Sequence, residues 1–298
     1  MIDIYLGIAI VLTLALLAGG LSYGVARWGG GWIGIPIAVL AVAALGLNVA
    51  YFRHSIWPAR ILPFSNMMIL SEPSPVLAGI LVGVGSVILP GSRVRRGCWL
   101  VPLCAVCLFA SYGELLGTPP LLGESWKYGV CRQTSPASCG PAAAATLLAR
   151  CGIPATEKEM AGLCLTTGDG TSPRAIYRGL LLKTRGTNLR VDPFRGSIDD
   201  LRKLRGPTLL NVRLDPGPKV NPKFQEVWGW KPGVPHSVVL FRCLPDGRFV
   251  MGDPATGREI WNLEAMQTLW HGEGLRVVPR DAAAGKAASA ARSPVTPD

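Results

Sequence analysis

The sequence predicts an α+β domain, with helices packed on one face of an antiparallel sheet, preceded by an all-α transmembrane region of about four helices. Three observations predict this. Charge is unevenly divided: the first 124 residues hold six basic and four acidic side chains, and the remainder holds 24 of the 30 Lys+Arg and 15 of the 19 Asp+Glu. Four uncharged apolar runs fill the first part. In the second part, helix-forming segments give way to short apolar or alternating runs separated by turn residues. The step in charge falls near Gly123. It divides a membrane-like region at 1–124 from a soluble domain at 125–280 and a tail at 281–298.

The apolar runs are Ile4–Ala26, Trp28–Phe52, Pro73–Ser92 and Gly97–Gly113. The first two exceed the roughly 20 helical residues that cross a hydrocarbon core. Arg27 and the Gly29-Gly30-Gly31 turn separate them. The third is Gly-rich, which suits close helix packing in lipid. Ile61–Ser71 is too short to span. Met1-Ile2-Asp3 has no basic side chain and the run after it is long, so the first segment reads as a span and not a signal peptide. Odd-numbered connections carry Arg27, Arg93, Arg95 and Arg96, and the even one carries Arg53 and Arg60. Short-loop basic residues stay in the cytoplasm, so the soluble domain is expected on the extracytoplasmic side.

Of the eight cysteines, Cys98, Cys104 and Cys107 fall in the fourth span as small packing residues. Cys131, Cys139, Cys151, Cys164 and Cys243 fall in the soluble part, with no metal-ligand spacing, so neither a metal site nor a cofactor is expected. An extracytoplasmic location permits disulfides among Cys131, Cys151, Cys164 and Cys243; burial as free thiols is the alternative. The net charge of +11 resides mostly in the soluble part, where it suits anionic headgroups of the bilayer. The basic residues are scattered without interleaved aromatics, which argues against nucleic acid.

Along the soluble domain, Ser138 can cap a helix that begins at Cys139, with Pro141 in its first turn and Ala142–Ala149 continuing it. Gly152 and Pro154 end it. Thr156-Glu157-Lys158-Glu159 reads as a capping box for a second helix. Thr167–Ser172 is a Gly-rich turn, and Ser172-Pro173 opens a third helix to about Leu182. Asn188–Val191 is a short strand, and Ser197-Ile198-Asp199-Asp200 caps a fourth helix that ends before Gly206-Pro207. Strands are predicted at Thr208–Leu214, Ser237–Arg242, Arg248–Gly252, Glu259–Asn262 and Leu275–Val278, with short connections that imply antiparallel pairing. Asp215–Val234, with its Trp228-Gly229-Trp230 pair, is a long loop that either lines a cleft or packs on the surface. Asp281–Asp298 has the composition of a disordered tail.

Four residues have the chemistry of thiolate acyl transfer. A thiol at a helix start, as at Cys139, meets unpaired amides and the positive dipole end, which favour thiolate. Gly140 after it lets substrate backbone approach closely. Of three histidines, His54 lies in a membrane loop and His271 near the last strand, which leaves His236 as the imidazole partner. Asp253 ends the next strand, where antiparallel pairing can bring it beside His236. Gln133, six residues before Cys139, can donate an amide N–H to an oxyanion. Three of the four have a structural alternative: a helix-start cysteine, a strand histidine, a turn aspartate.

These residues resemble the bacteriocin-processing peptidases, papain-like domains that cleave leader peptides after a double glycine. The resemblance runs from about Tyr128 to Val278. It rests on Gln133 and Cys139-Gly140-Pro141-Ala142, Gly168-Asp169-Gly170-Thr171-Ser172 before a helix, the His236 strand, Asp253-Pro254-Ala255 with Gly257, and Leu263-Glu264-Ala265-Met266 with Trp270-His271-Gly272. It implies a papain-like fold, with Cys139 as nucleophile, His236 as general base and acid, Asp253 as orienter and Gln133 as oxyanion donor. Its implied partners are a peptide or protein substrate and the lipid bilayer, with the inner membrane of a bacterium as the location. Many such domains are fused to an ABC exporter. No Gly-x-x-x-x-Gly-Lys-Ser/Thr loop occurs here, so ATP-driven export would need a separate exporter. Two other readings of the same residues are a non-catalytic module that binds a leader peptide for that exporter, and amide chemistry other than proteolysis.

Overall fold

The computed structural model describes residues 1–52, 55–217 and 221–280. Arg53, Pro218 and the Asp281–Asp298 tail expectation lie outside those residues, as does His54. The chain divides into two compact units, Met1–Thr118 and a second that begins at Pro119.

In the first unit, α1 (Ile2–Leu47) continues into a π turn at Asn48–Phe52, followed by a 3₁₀ turn at Trp57–Arg60, α2 (Met67–Leu70), α3 (Ser74–Ile88) and α4 (Arg93–Tyr112). Three helical stretches are long and apolar enough to cross a membrane: Ile2–Phe52, Met67–Ile88 and Arg93–Tyr112. Two of the predicted runs therefore share α1, and Gly30 decides how. Its φ of 59° and ψ of −151° break the helix, a conformation open to glycine at little cost. A Cβ on Gly34 would lie 3.6 Å from the Cβ of Ala26, whereas a straight helix would hold those residues about 12 Å apart. At the far ends, Gly7 abuts Ile69 while the Asn48 side chain donates to Glu72 at 2.9 Å. Residues 2–29 and 31–47 thus double back as two arms of one of the three candidate stretches.

Small residues let α3 seat against the first arm. A Cβ on Gly79 would fall 2.2 Å from the carbonyl oxygen of Ala15, and one on Gly83 would fall 2.2 Å from that of Gly19. This spacing of four is the small-residue contact that replaces hydrophobic driving force in lipid. Ser22, buried in the contact, donates across it to the Ile80 carbonyl at 3.1 Å. Arg93, Arg95 and Arg96 form the first turn of α4 under a Ser92 cap and are not a free connection.

The second unit opens with a hairpin, β1 (Trp126–Lys127) and β2 (Val130–Cys131), turned by Tyr128 and Gly129 at positive φ. Two-residue strands carry too little pattern to be read from sequence. Three helices follow: α5 (Cys139–Arg150), α6 (Glu157–Leu163) and α7 (Pro173–Lys183). Then come β3 (Leu189–Arg195), α8 (Ile198–Lys203), β4 (Thr208–Arg213), α9 (Lys223–Glu226), β5 (Pro235–Cys243), β6 (Phe249–Asp253), β7 (Gly257–Trp261), α10 (Leu263–Leu269) and β8 (Trp270–Pro279). The six longer strands form one antiparallel sheet in the order β3-β8-β4-β5-β6-β7. β3 extends past the predicted Val191 because β8 pairs with it as far as Arg195. It tolerates Pro193 because its other edge is unpaired in the sheet.

Both faces of the sheet are covered, where the sequence suggested one. α5 packs across β4, β5, β6 and β8. A second core joins Leu201 of α8, Phe224 of α9 and Met266 of α10 to Leu210, Val238, Leu240 and Met251. The cause is visible in the strands: consecutive residues of β4, β5 and β6 are buried, which is the pattern of a sheet with no wet face. Side chains cap α6 from Thr156, α7 from Ser172, α8 from Ser197 and α10 from Asn262, each worth about 1 kcal/mol. Among the described residues, only α8 closes a full capping box. At α6 the Glu159 carboxylate pairs instead with Lys183 of α7.

Candidate active site

α5 is the most deeply buried helix, with Gly140 to Leu148 all inaccessible. Burial of that kind fixes its first residue, Cys139, as firmly as the core itself. Ser138 does not cap it. The buried Ser138 hydroxyl donates to the Ser135 carbonyl at 2.8 Å and accepts from the Ser135 N–H at 3.1 Å, closing the approach turn. The N–H of Gly140, in the first turn of α5, and that of Ser237, in β5, both hydrogen-bond the Cys139 sulfur. A Cβ on Gly140 would meet Ile176 and Thr171 at 3.0 Å, so glycine there also serves the packing of α7 and the turn before it against α5.

The antiparallel run of β5 and β6 brings the start of one beside the end of the other. His236 is the second residue of β5, opposite Val212 of β4, and Asp253 is the last residue of β6. His236 Nε2 lies 2.8 Å from Asp253 Oδ1, and the His236 ring hydrogen-bonds the Cys139 thiol. Asp253 is 4% exposed, so its charge acts through little water. The same Oδ1 accepts the Ala255 N–H at 2.7 Å, which fixes the carboxylate from its own turn. Trp230, from the loop before β5, stands edge-on to the His236 ring at 5.7 Å and to Trp261 at 5.9 Å. The loop is anchored by Phe224, buried against β4 and β5 and met edge-on by Trp228. It therefore packs on the body and also reaches the site, which joins the two readings the sequence left open.

Electrostatics single out one thiol. Burial pushes Cys139 up, but the hydrogen bond and charge of His236, with the Ser237 and Gly140 amides, outweigh it and hold Cys139 below the ordinary thiol range. His236 responds in the opposite sense. Burial pushes it down, and its bonds to Asp253 and Cys139 raise it to about 10. Both shifts favour the thiolate–imidazolium form of the pair over the neutral one. Burial drives the other four cysteines of this unit upward, Cys131 and Cys164 to about 12. All eight cysteines are free thiols.

Gln133 lies on the approach to α5. Its amide donates one N–H to the Ser135 carbonyl at 3.0 Å, its Oε1 is buried without a partner among the described residues, and its backbone N–H donates to the Pro254 carbonyl at 3.0 Å. The structure thus brings Cys139, His236 and Asp253 together and ties Gln133 to the turn after Asp253. Glu157, fully buried, was read from sequence only as part of a cap. It accepts from the Thr134 N–H at 2.9 Å and the Thr134 hydroxyl at 2.7 Å, holding the residue beside Gln133. Among the described residues no group of three or more His, Cys, Asp or Glu could hold a metal ion.

Such an arrangement has the groups that thiolate acyl transfer needs. The Peptidase C39 family model matches residues 127–282. The chain belongs to the Peptidase C39 family. C39 is a family of cysteine peptidases, and its match spans the sheet, α5 and the Cys139–His236–Asp253 series. An uncharacterised protein of Methanothermobacter marburgensis is 39% identical over 74 residues, 25% of this chain and 49% of that relative. The chain thus spans about half the length of this curated relative. Among solved structures, the peptidase domain of Streptococcus ComA, a bifunctional ABC transporter involved in quorum sensing, is 18% identical, with a TM-score of 0.40. The match covers 52% of this chain and 100% of that one. A double-glycine motif protease from an AMS/PCAT transporter, in complex with its leader peptide, is 19% identical with a TM-score of 0.38, over 55% of this chain and 94% of that one.

Proposed function

We propose that this C39 peptidase is anchored in the membrane by residues 1–124 and cleaves a peptide or protein near the bilayer with residues 125–280. The observation that supports it best is the hydrogen-bonded series from Cys139 through His236 to Asp253. In this mechanism the Cys139 thiolate attacks the scissile carbonyl carbon. The oxyanion takes hydrogen bonds from the Cys139 backbone N–H and the Gln133 amide, which has a second N–H beyond the one given to Ser135. His236, as imidazolium, passes its proton to the leaving amine and the C–N bond breaks, leaving a thioester. Neutral His236 then takes a proton from water, hydroxide adds to the thioester, and the acid product leaves as the thiolate is restored. Asp253 holds the ring and favours its charged form.

Family membership supports a leader-bearing peptide as substrate, with cleavage after a double glycine as the first motif to test and an exporter on a separate chain as partner. Arg27, Arg93, Arg95 and Arg96 favour an extracytoplasmic catalytic domain, in the inner membrane of a bacterium. A reporter active only in the cytoplasm, fused after Asp298, should be silent, and activity would reverse the orientation. Cleavage itself is tested by labelling the detergent-solubilised chain with a thiol-reactive peptidyl electrophile across pH. Saturable labelling near neutral pH, lost in Cys139→Ala and weakened in His236→Ala, is expected. Slow labelling that rises only near the ordinary thiol value of about 8.5 and ignores His236 would overturn the peptidase reading in favour of a peptide-binding module.

A further inference from the structure

Arg132 stands outside every role assigned above, yet its side chain makes more contacts to one short segment than any catalytic candidate does. It follows β2 directly, and its backbone N–H donates to the Ser125 carbonyl at 2.7 Å, which fixes its place beside the first hairpin. Its guanidinium then reaches three consecutive carbonyls of the turn that joins β6 to β7. Nε donates to Pro254 at 3.0 Å, Nη1 to Thr256 at 3.0 Å, and Nη2 to Ala255. A guanidinium has five N–H donors in a rigid plane, and this is the geometry that can hold a curved row of carbonyls. Gly257, at φ of 106°, ends the turn, and a Cβ there would lie 3.3 Å from Nη1.

That turn carries the site. Ala255, whose carbonyl Arg132 holds, gives its N–H to Asp253 Oδ1, the atom that also meets His236 Nε2. Pro254, whose carbonyl Arg132 holds, also accepts the backbone N–H of Gln133. One side chain therefore sets the turn from which the carboxylate is aimed and to which the Gln133 segment is tied. We propose that Arg132 is a positioning residue that locks the Asp253 turn against the Gln133 segment, so that the orienting carboxylate and the oxyanion donor are held in one frame. The proposal rests on the peptidase reading for its catalytic meaning. Its structural content, that Arg132 aims Asp253 at His236, stands apart from it.

The test uses the full chain in detergent with ¹⁵N-histidine and compares the parent with Arg132→Met and Arg132→Lys. Two readings are taken on each: the imidazolium midpoint of His236 by NMR, and the rate of Cys139 labelling by the peptidyl electrophile at neutral pH. Arg132→Met should lower the His236 midpoint by at least one pH unit and slow labelling at least tenfold, with melting still cooperative. Arg132→Lys, which keeps one donor for Pro254, should fall between. Unchanged midpoint and rate in a folded Arg132→Met overturn the proposal. Should that variant not fold, the same readings on Arg132→Lys decide, and parental values overturn it. Parent protein that fails to label refutes the peptidase reading alone, because the midpoint still reports whether Arg132 positions Asp253.

Discussion

Asp253→Asn is the substitution that separates charge from geometry at this site. Both hydrogen bonds to the carboxylate, from His236 Nε2 at 2.8 Å and from the Ala255 N–H at 2.7 Å, end on the same oxygen. An asparagine oxygen in that place keeps both, so the turn and ring stay and only the charge is lost. The magnitude follows from the imidazole. Raising it from 6.5 to about 10 corresponds to ~5 kcal/mol of preference for imidazolium. Asp253 and Cys139 share that effect, and the Asp253 bond is the larger. A neighbouring opposite charge at this distance moves a pKa by about 1–3 units. The sign is fixed: the carboxylate favours the protonated ring, so its removal makes His236 lose its proton at lower pH. NMR of ¹⁵N-histidine protein should find the parent midpoint near 10 and the variant about 1–3 units lower, each macroscopic value belonging to the Cys–His pair. A parent that titrates at the ordinary histidine value, or a variant with an unmoved midpoint, would refute the ion-pair argument.

His236→Ala should return thiolate formation at Cys139 to about 8.5 or above, because burial then acts without its main counterweight; the absorbance of thiolate against pH reads this directly. Glu157→Ala removes from a fully buried position the acceptor of the exposed Thr134 N–H and hydroxyl, at a cost of ~1–2 kcal/mol, and denaturant unfolding should reveal it, while Glu157→Gln, which keeps an acceptor oxygen, should lose less than half as much. Gly79→Leu or Gly83→Leu must part α3 from the first arm of α1, since the new Cβ would sit 2.2 Å from a carbonyl oxygen; a sharp drop in folded yield from membranes is expected, and parental yield and melting would show that the contact does not hold the unit together.

Some of this protein is written locally, and those parts were legible. Hydration decides where charge lies, so the division into an apolar and a charged part, and the apolar segments themselves, follow from composition. Ser172-Pro173 and Ser197 through Asp200 cap helices as their side chains dictate over three residues. Antiparallel strands joined by short turns must place the end of β6 beside the start of β5, which is why Asp253 could be paired with His236 before any coordinates.

Other features are settled between segments far apart in sequence. The fold-back at Gly30 needs α3 to receive both arms. Ser138 leaves the helix cap because Ser135 is nearer in the folded turn, and Gly140 is glycine because α7 lies against it. The second covered face of the sheet depends on α8, α9 and α10 meeting there. Arg132 and Glu157 have no local signature, since their partners lie 122 to 124 and 23 residues away. The sequence by itself determined which groups could do thiolate chemistry, because reactivity belongs to residue types. Only the tertiary structure decided which buried groups hold them in place, because a hydrogen bond gains its strength from the water that packing has removed.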